Sequence, residues 1–127
     1  NESLENLSMV SPDVRLEDYL ACFVAIQSNT TLKCLQVLES SLDEYESRKL
    51  IPVLKKNYGL EEIPELDHCE GDIRSIFQLN QAGRRYLVQD GSSISKGVDV
   101  LSGVNNDINA VFLHLLENPR LCDRSAV

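Results

Sequence analysis

The sequence has no tryptophan, only two histidines, and fewer basic than acidic side chains, with 12 Lys and Arg against 20 Asp and Glu. The whole excess lies in residues 1–70, which have 14 acidic and 6 basic side chains. Such a surface repels phosphate backbones, so nucleic acid is excluded as a partner. Long hydrophobic runs are also missing, because the longest, Tyr19 to Ile26, is far below the roughly 18 residues of a membrane helix. We therefore predict no membrane span.

Motifs for metal binding and redox chemistry are missing as well. The four cysteines, Cys22, Cys34, Cys69 and Cys122, form no C-x-x-C pair and have no regular spacing. Zinc and redox sites need such spacing, because their thiolates must converge on one centre. We predict reduced thiols, no metal, no cofactor, and an intracellular, cytoplasmic location.

What is present is a repeat of 28 residues. Its motif starts at Asn1, Asn29 and Asn57, and each asparagine is followed by apolar residues in the pattern N-x-x-L-x-x-[LI]. Each unit joins a brief alternating segment, typical of a strand, to a stretch with apolar residues three and four apart, typical of a helix. The helical stretches are predicted over 16–27 and 44–56. Because one strand and one helix cannot bury their own apolar side, the units are expected to stack, with parallel strands inside and helices outside.

The spacing predicts two adjacent parallel strands, around Leu7 to Met9 and Leu35 to Val37. The third unit departs from the pattern, because Glu65 occupies the position of Met9 and Val37. That strand is expected to be cut short, or to slip until Leu66 points inward. Pro52 is expected to kink the second helix or to delay its start. The alternative is an unrelated α/β fold in which the segments are alike by chance.

The pattern N-x-x-L-x-x-L-x-[VM], with the helix Leu50-Ile-Pro-Val-Leu-Lys-Lys56 leading into the next asparagine, resembles leucine-rich repeats of the ribonuclease-inhibitor class. The resemblance covers residues 1 to about 66, and residues 84–124 also resemble uncharacterised leucine-rich-repeat proteins of algae. It implies an α/β fold, a short leucine-rich-repeat solenoid of parallel strands and outer helices with an α-helical C-terminal cap. The implied domains are repeats over 1–70, with units near 1–28, 29–56 and 57–70, and a helical cap over 71–127.

The implied cap has its own motif. The segment Leu79-Asn-Gln-Ala-Gly-Arg84 resembles the L-N-x-A-G-R segment that closes many arrays of this class. Asp72 is placed to cap a helix, and Arg84 and Arg85 stand where cations could meet helix-end carbonyl groups. Two more helices are expected between Ser92 and Leu116. The apolar residues of the second are Ile108, Val111, Phe112, Leu115 and Leu116.

Residues between the inward leucines of each strand are expected to project from the concave face of the sheet. Their last column is apolar, and apolar side chains on a wet face suggest a partner-binding stripe. The alternative is that they turn into the core at the strand ends. The three columns are Asn6, Cys34 and Glu62, then Ser8, Gln36 and Pro64, then Val10, Leu38 and Leu66.

His68 and Cys69, beside Asp67 and Glu70, are the strongest candidates for chemistry. Four adjacent side chains on an irregular segment cannot converge on one point, so a solvated loop is favoured and no catalytic residue is predicted. We predict a non-enzymatic protein-binding scaffold, a C-terminal fragment of a longer array because no capping segment precedes its first unit. One alternative is an accessory structural subunit, docked in a larger assembly through the helices between Ser92 and Leu116. A less favoured one is an enzyme that uses His68 and Cys69.

Overall fold

The computed structural model describes residues 4–10, 15–38, 42–66, 69, 71–89 and 94–122. Strand β1 (Asn6–Val10) pairs with strand β2 (Cys34–Leu38) in parallel. Leu7 stands opposite Leu35 and Met9 opposite Val37, so the register equals the 28-residue period. The predicted pairing of these two segments is confirmed.

Helices make up most of the rest, and capping residues fix several of their starts. Asp43 accepts a hydrogen bond from the backbone N–H of Glu46 at 2.7 Å, and Asp107 accepts from Asn109 and Ala110. The helices are α1 (Leu16–Ala25), α2 (Glu44–Arg48), α3 (Ile51–Lys55), α4 (Asp72–Gln81), α5 (Arg85–Gln89), α6 (Ile94–Gly103) and α7 (Ile108–Glu117), with 3-10 helices at Pro64–Leu66 and Pro119–Cys122.

Two local predictions can be compared with these bounds. The predicted helix over 44–56 is divided into α2 and α3, and Pro52 lies in the first turn of α3, where its missing N–H costs nothing. The kink or late start expected at Pro52 takes the form of a break between α2 and α3. Asp72 is not the cap of its helix, because it is the first helical residue and Gly71 precedes it at φ 72°. That φ lies in the left-handed region that favours glycine.

The predicted fold class is wrong. The described residues are mostly helical, and the sheet among them has only two strands, so the protein is not an α/β leucine-rich-repeat solenoid. In the third unit, Glu62 forms a single parallel bridge with Cys34, and the chain then turns into the 3-10 helix that begins at Pro64. Proline has no N–H to donate to a strand ladder, so the sheet ends there. Of the two outcomes expected for the third unit, the shortened strand is confirmed, and Leu66 is buried from the 3-10 helix and not from a slipped strand.

The main core lies between the sheet and the helices around it. Leu35 and Val37 point inward from β2 and are buried. Helix α4 contributes to this core through Ile73, Ile76 and Phe77. The same helix presents Leu79 to a second, smaller cluster with residues of α6 and α7. Because α4 belongs to both clusters, it joins the strand-containing part of the chain to the last helices.

Candidate protein-binding surfaces

The sheet brings part of the predicted binding face together. Asn6 lies opposite Cys34 and Ser8 opposite Gln36, and Cys34 also bridges Glu62. These residues therefore form the first column and two members of the second. Pro64 does not join them, because the chain has already left the strand geometry and started a 3-10 helix at that residue.

The third column does not form the predicted apolar stripe. Val10 lies opposite Leu38 and is exposed, whereas Leu66 is fully buried in the main core. The side chain of Leu38 lies outside the described residues. The prediction is wrong for Leu66, because the 3-10 turn rotates its side chain inward, which is the alternative that the sequence left open.

The two edges of the sheet differ. On the far edge of β2, the N–H of Leu35 donates to the carbonyl of Glu62 at 3.2 Å. Two residues further on, the N–H of Val37 donates to the Glu65 side chain, at 2.6 Å from Oε1. The Glu65 carboxylate thus takes the place of a third strand. On the outer edge of β1, no described residue pairs with the strand.

Asparagine side chains hold the turns at the start of the second and third units. The Asn29 Oδ1 accepts hydrogen bonds from the N–H groups of Thr31 and Leu32, both at 2.9 Å. Asn57 does the same for Gly59 and Leu60, also at 2.9 Å. These side chains fix the direction in which each chain segment enters the sheet. An asparagine side chain suits these turns, because its oxygen accepts from backbone N–H groups two and three residues further on.

Asn80, in the last turn of α4, extends this arrangement from outside the repeat. Its Nδ2 donates to the carbonyls of Asn57, at 2.9 Å, and of Leu60. This role of Asn80 was not predicted from the sequence, because Asn80 lies outside the 28-residue register. The signal available was the asparagine in the L-N-x-A-G-R motif itself.

The adjacent arginines Arg84 and Arg85 both reach backbone carbonyls. The Arg84 Nη2 donates to the carbonyl of Lys55, the last residue of α3, at 2.5 Å. The expectation that a cation meets a helix-end carbonyl is confirmed for this residue. Arg85 instead donates to the turn carbonyls of Thr30 and Gly59, both at 3.1 Å. It also forms an ion pair with the Glu61 carboxylate.

A second surface lies on α7. Ile108, Phe112 and Leu116 are four residues apart, so they share one face of the helix. Their exposed fractions are 80%, 63% and 68%. The helix buries its other side, through Ala110 and His114. We call the three exposed residues the α7 stripe. The sequence predicted them as apolar residues of a helix, and in the structure all three are exposed.

His114 explains how α7 is held with its stripe outward. Its Nε2 lies 2.9 Å from the carbonyl of Gly97 in α6, and its Nδ1 lies 3.2 Å from the Asn118 amide. Burial lowers the pKa of His114, the bond to Gly97 raises it, and nearby Arg84 lowers it further. Both ring nitrogens have partners when the ring is neutral with its proton on Nε2. The imidazole therefore acts as a structural link between α6 and α7.

The candidates for chemistry remain weak. Cys69 is buried, and His68, Asp67 and Glu70 lie outside the described residues. Within the described part of the chain, no group of three or more His, Cys, Asp or Glu side chains could hold a metal ion. Burial raises the pKa of Cys22, which disfavours its thiolate. None of the described helices has the length and apolar character needed to cross a membrane.

Comparison of the chain with known protein families, with curated proteins and with solved structures finds no match. The resemblance of the repeat to leucine-rich repeats of the ribonuclease-inhibitor class therefore stays a prediction.

Proposed function

We propose that this chain is a non-enzymatic protein-binding module that docks through α7. The observation that carries the proposal is the α7 stripe, Ile108, Phe112 and Leu116, which exposes three large apolar side chains on one helix face. Leaving a contiguous apolar face in water is unfavourable, and such faces mark surfaces that a partner covers. Helices bind grooves through anchors with this helical spacing.

The partner is a different protein that has an apolar groove, and not a second copy of this chain. Three side chains at these exposures offer on the order of 400 Å². A stable interface needs about 800 Å² on each partner. Two flat stripes packed together fall short of that area, whereas a groove that encloses the helix also buries its flanks. Within α7, the acidic and basic side chains are Glu117, at the C-terminal end, and His114, which is buried on the other side of the helix, so the stripe itself is uncharged.

The sheet face supports the same function more weakly. Two columns of this face are mostly polar, namely Asn6, Cys34, Glu62 and Ser8, Gln36. In the third column, Val10 is a large apolar side chain that is exposed. Polar residues surround the apolar centre of many interfaces, and they contribute less to affinity than that centre does. The sheet face therefore remains a second candidate surface of the same binding module.

A second candidate function is that of an accessory subunit held permanently in a larger assembly. The uncharged character of the α7 stripe favours it, because permanent interfaces are more hydrophobic than transient ones. The two functions differ in lifetime. A permanent subunit stays with its partner in stoichiometric amount through repeated gel filtration, whereas a reversible binder separates on dilution.

The test compares two exposed aromatic residues on different surfaces. Tagged chains with Phe112→Ser, with Tyr45→Ser and without a substitution are used to capture proteins from an extract of the source cells. Tyr45 is a matched control because it is as exposed as Phe112 but lies on α2. A supporting result is a protein that the unsubstituted chain and the Tyr45 variant retain, that the Phe112 variant loses, and that binds the purified chain directly. Retention of the same proteins by all three chains contradicts docking through α7.

A further inference from the structure

A cavity of about 960 Å³ opens beside α1 and α3, and its lining includes Glu117 of α7 but none of the three residues of the α7 stripe. Val24 of α1 and Ile51 and Pro52 of α3 form its apolar wall. Val24 is among the most exposed large apolar side chains of the chain. The volume and the wall are those of a site for an apolar side chain or a short chain segment.

Two cations line the same cavity. Lys55 and Lys56 are two of the six basic residues in the first 70 residues, where 14 acidic residues prevail. Within the described ranges, no carboxylate lies within 4.0 Å of either amine. The cavity is therefore locally positive on a chain whose net charge is −8. This charge is available to a negatively charged ligand.

A third cation, Arg84, packs against Tyr58 of the cavity lining. The Arg84 side chain is 1% exposed, and its guanidinium carbon lies 3.9 Å from the ring centroid of Tyr58, which lines the cavity. Its Nη1 lies 3.6 Å from Oε2 of Glu117, the anion that lines the cavity. Among the described residues, Nε and Nη1 of Arg84 have no hydrogen-bond partner. A buried cation with unmade hydrogen bonds attracts negative charge strongly, because little water screens it.

The role of Arg84 decides the balance of charge at the cavity. Glu117 is oriented toward Arg84 and Tyr58, since the Tyr58 hydroxyl lies 3.5 Å from the same carboxylate oxygen. Arg84 thereby offsets the negative charge of Glu117, and the positive charges of Lys55 and Lys56 remain unopposed. Burial lowers the pKa of Arg84, and the pair with Glu117 partly restores it.

We infer that this cavity binds an acidic, partly apolar segment of a polypeptide partner. Carboxylates of the segment pair with Lys55 and Lys56, and an apolar side chain packs against Val24, Ile51 and Pro52. The overall negative charge of the chain disfavours nucleic acid at this site. The inference is independent of docking through α7, because it involves different side chains.

The test is a titration of the 127-residue chain, labelled with ¹⁵N and followed by NMR. The probe is an acetylated and amidated hexapeptide of alternating leucine and glutamate, and the control probe has glutamine in place of glutamate. We expect saturable shifts of the Lys55, Lys56 and Tyr58 amides with the acidic peptide, reduced by added salt. The double variant Lys55→Gln/Lys56→Gln should bind about fivefold to tenfold more weakly, as expected for two partly exposed ion pairs.

Lys49→Gln is the matched control variant, because Lys49 is an exposed lysine that contacts Tyr45 and does not line the cavity. It should bind the acidic peptide as the unsubstituted chain does. Equal binding of the glutamine peptide, equal weakening by Lys49→Gln, or shifts confined to other residues overturns the inference. Decanoate is a further probe. If it shifts the same amides while the peptide does not, the ligand is a fatty acid and the proposed polypeptide partner is wrong.

Discussion

The first two units place the same residue types at the same positions, yet they differ in burial. Leu7 and Met9 of β1 correspond to Leu35 and Val37 of β2, 28 residues later. Val37 is 2% exposed, whereas Met9 is 38% exposed. Leu35 is fully buried and Leu7 only partly so. The apolar pattern is therefore equal, and its effect on stability should not be.

The difference follows from the neighbours of each strand. β2 has β1 on one side and, on the other, the Glu62 bridge and the Glu65 carboxylate. Among the described residues, β1 has β2 alone. A strand with a neighbour on each side has its inward side chains covered from both directions. The apolar pattern of the sequence therefore sets which side chains point inward. The segments next to each strand decide how far those side chains are removed from water.

Replacing the two equivalent leucines should give the largest difference. Leu35→Ala is expected to lower the free energy of unfolding by about 2 to 5 kcal/mol, because it leaves a cavity in the main core. Leu7→Ala should cost about 1 kcal/mol, as for an average substitution, because Leu7 is only partly buried. Urea unfolding followed by circular dichroism measures both. Equal losses at the two positions would mean that the units are equally buried in solution.

Hydrogen exchange should show the same difference in the backbone. The amides of Leu35 and Val37 both donate to the third unit, at the far edge of β2. The amides of Ser8 and Val10 should face the outer edge of β1, because donors alternate sides along a strand of a parallel sheet. We expect about 100-fold slower exchange in β2, equivalent to about 2.7 kcal/mol. Equal or greater protection of the β1 amides contradicts the comparison.

The fold could be predicted in part. The 28-residue spacing correctly predicted the register of β1 with β2, because equivalent positions of stacked units face each other. The spacing also marked Glu65 as the place where the third unit departs. The error was to extend two strands to a solenoid. A repeat of apolar positions does not determine how many of the units form a strand. In the third unit, the sheet ends where the 3-10 helix begins at Pro64, next to Glu65.

The candidate surfaces were predicted less well. Sequence placed Asn6 beside Cys34 and Ser8 beside Gln36, but it could not place Leu66, whose orientation depends on the 3-10 turn. The α7 stripe was missed because burial of a helix face depends on what packs against it. The signal was available in the composition of α7, whose apolar residues occupy more than the single face that one packing partner can cover.

A substitution of Glu65 tests whether its side chain stabilises the far edge of β2. Glu65→Ala removes the acceptor for the N–H of Val37 and should cost about 1 to 3 kcal/mol, the penalty for a backbone donor left unpaired. Glu62→Ala is the control, because Glu62 is exposed and pairs with β2 through its backbone. Its effect should stay within about 0.5 kcal/mol. Thermal and urea unfolding measure both variants, and equal effects would remove the role assigned to the Glu65 side chain.

The smallest effect is expected for Val10→Thr, at the end of β1. Val10 is 63% exposed, and threonine keeps its branched shape and its preference for strands. The added hydroxyl can hydrogen-bond to water, so the free energy of unfolding should change by less than about 0.5 kcal/mol.

Val37→Thr is the matched substitution in β2, since it makes the same chemical change in a buried strand position. There the hydroxyl has to leave water for the apolar core, which should cost about 1 to 3 kcal/mol. The two variants make the same chemical change, but Val10 lies opposite Leu38 and not opposite Val37, so they differ in position along the strand as well as in unit. The ratio of their effects in urea unfolding therefore reports the burial of each side chain. Equal and small effects would show that the inward face of β2 is wet in solution. Equal and large effects would show that Val10 is covered in solution.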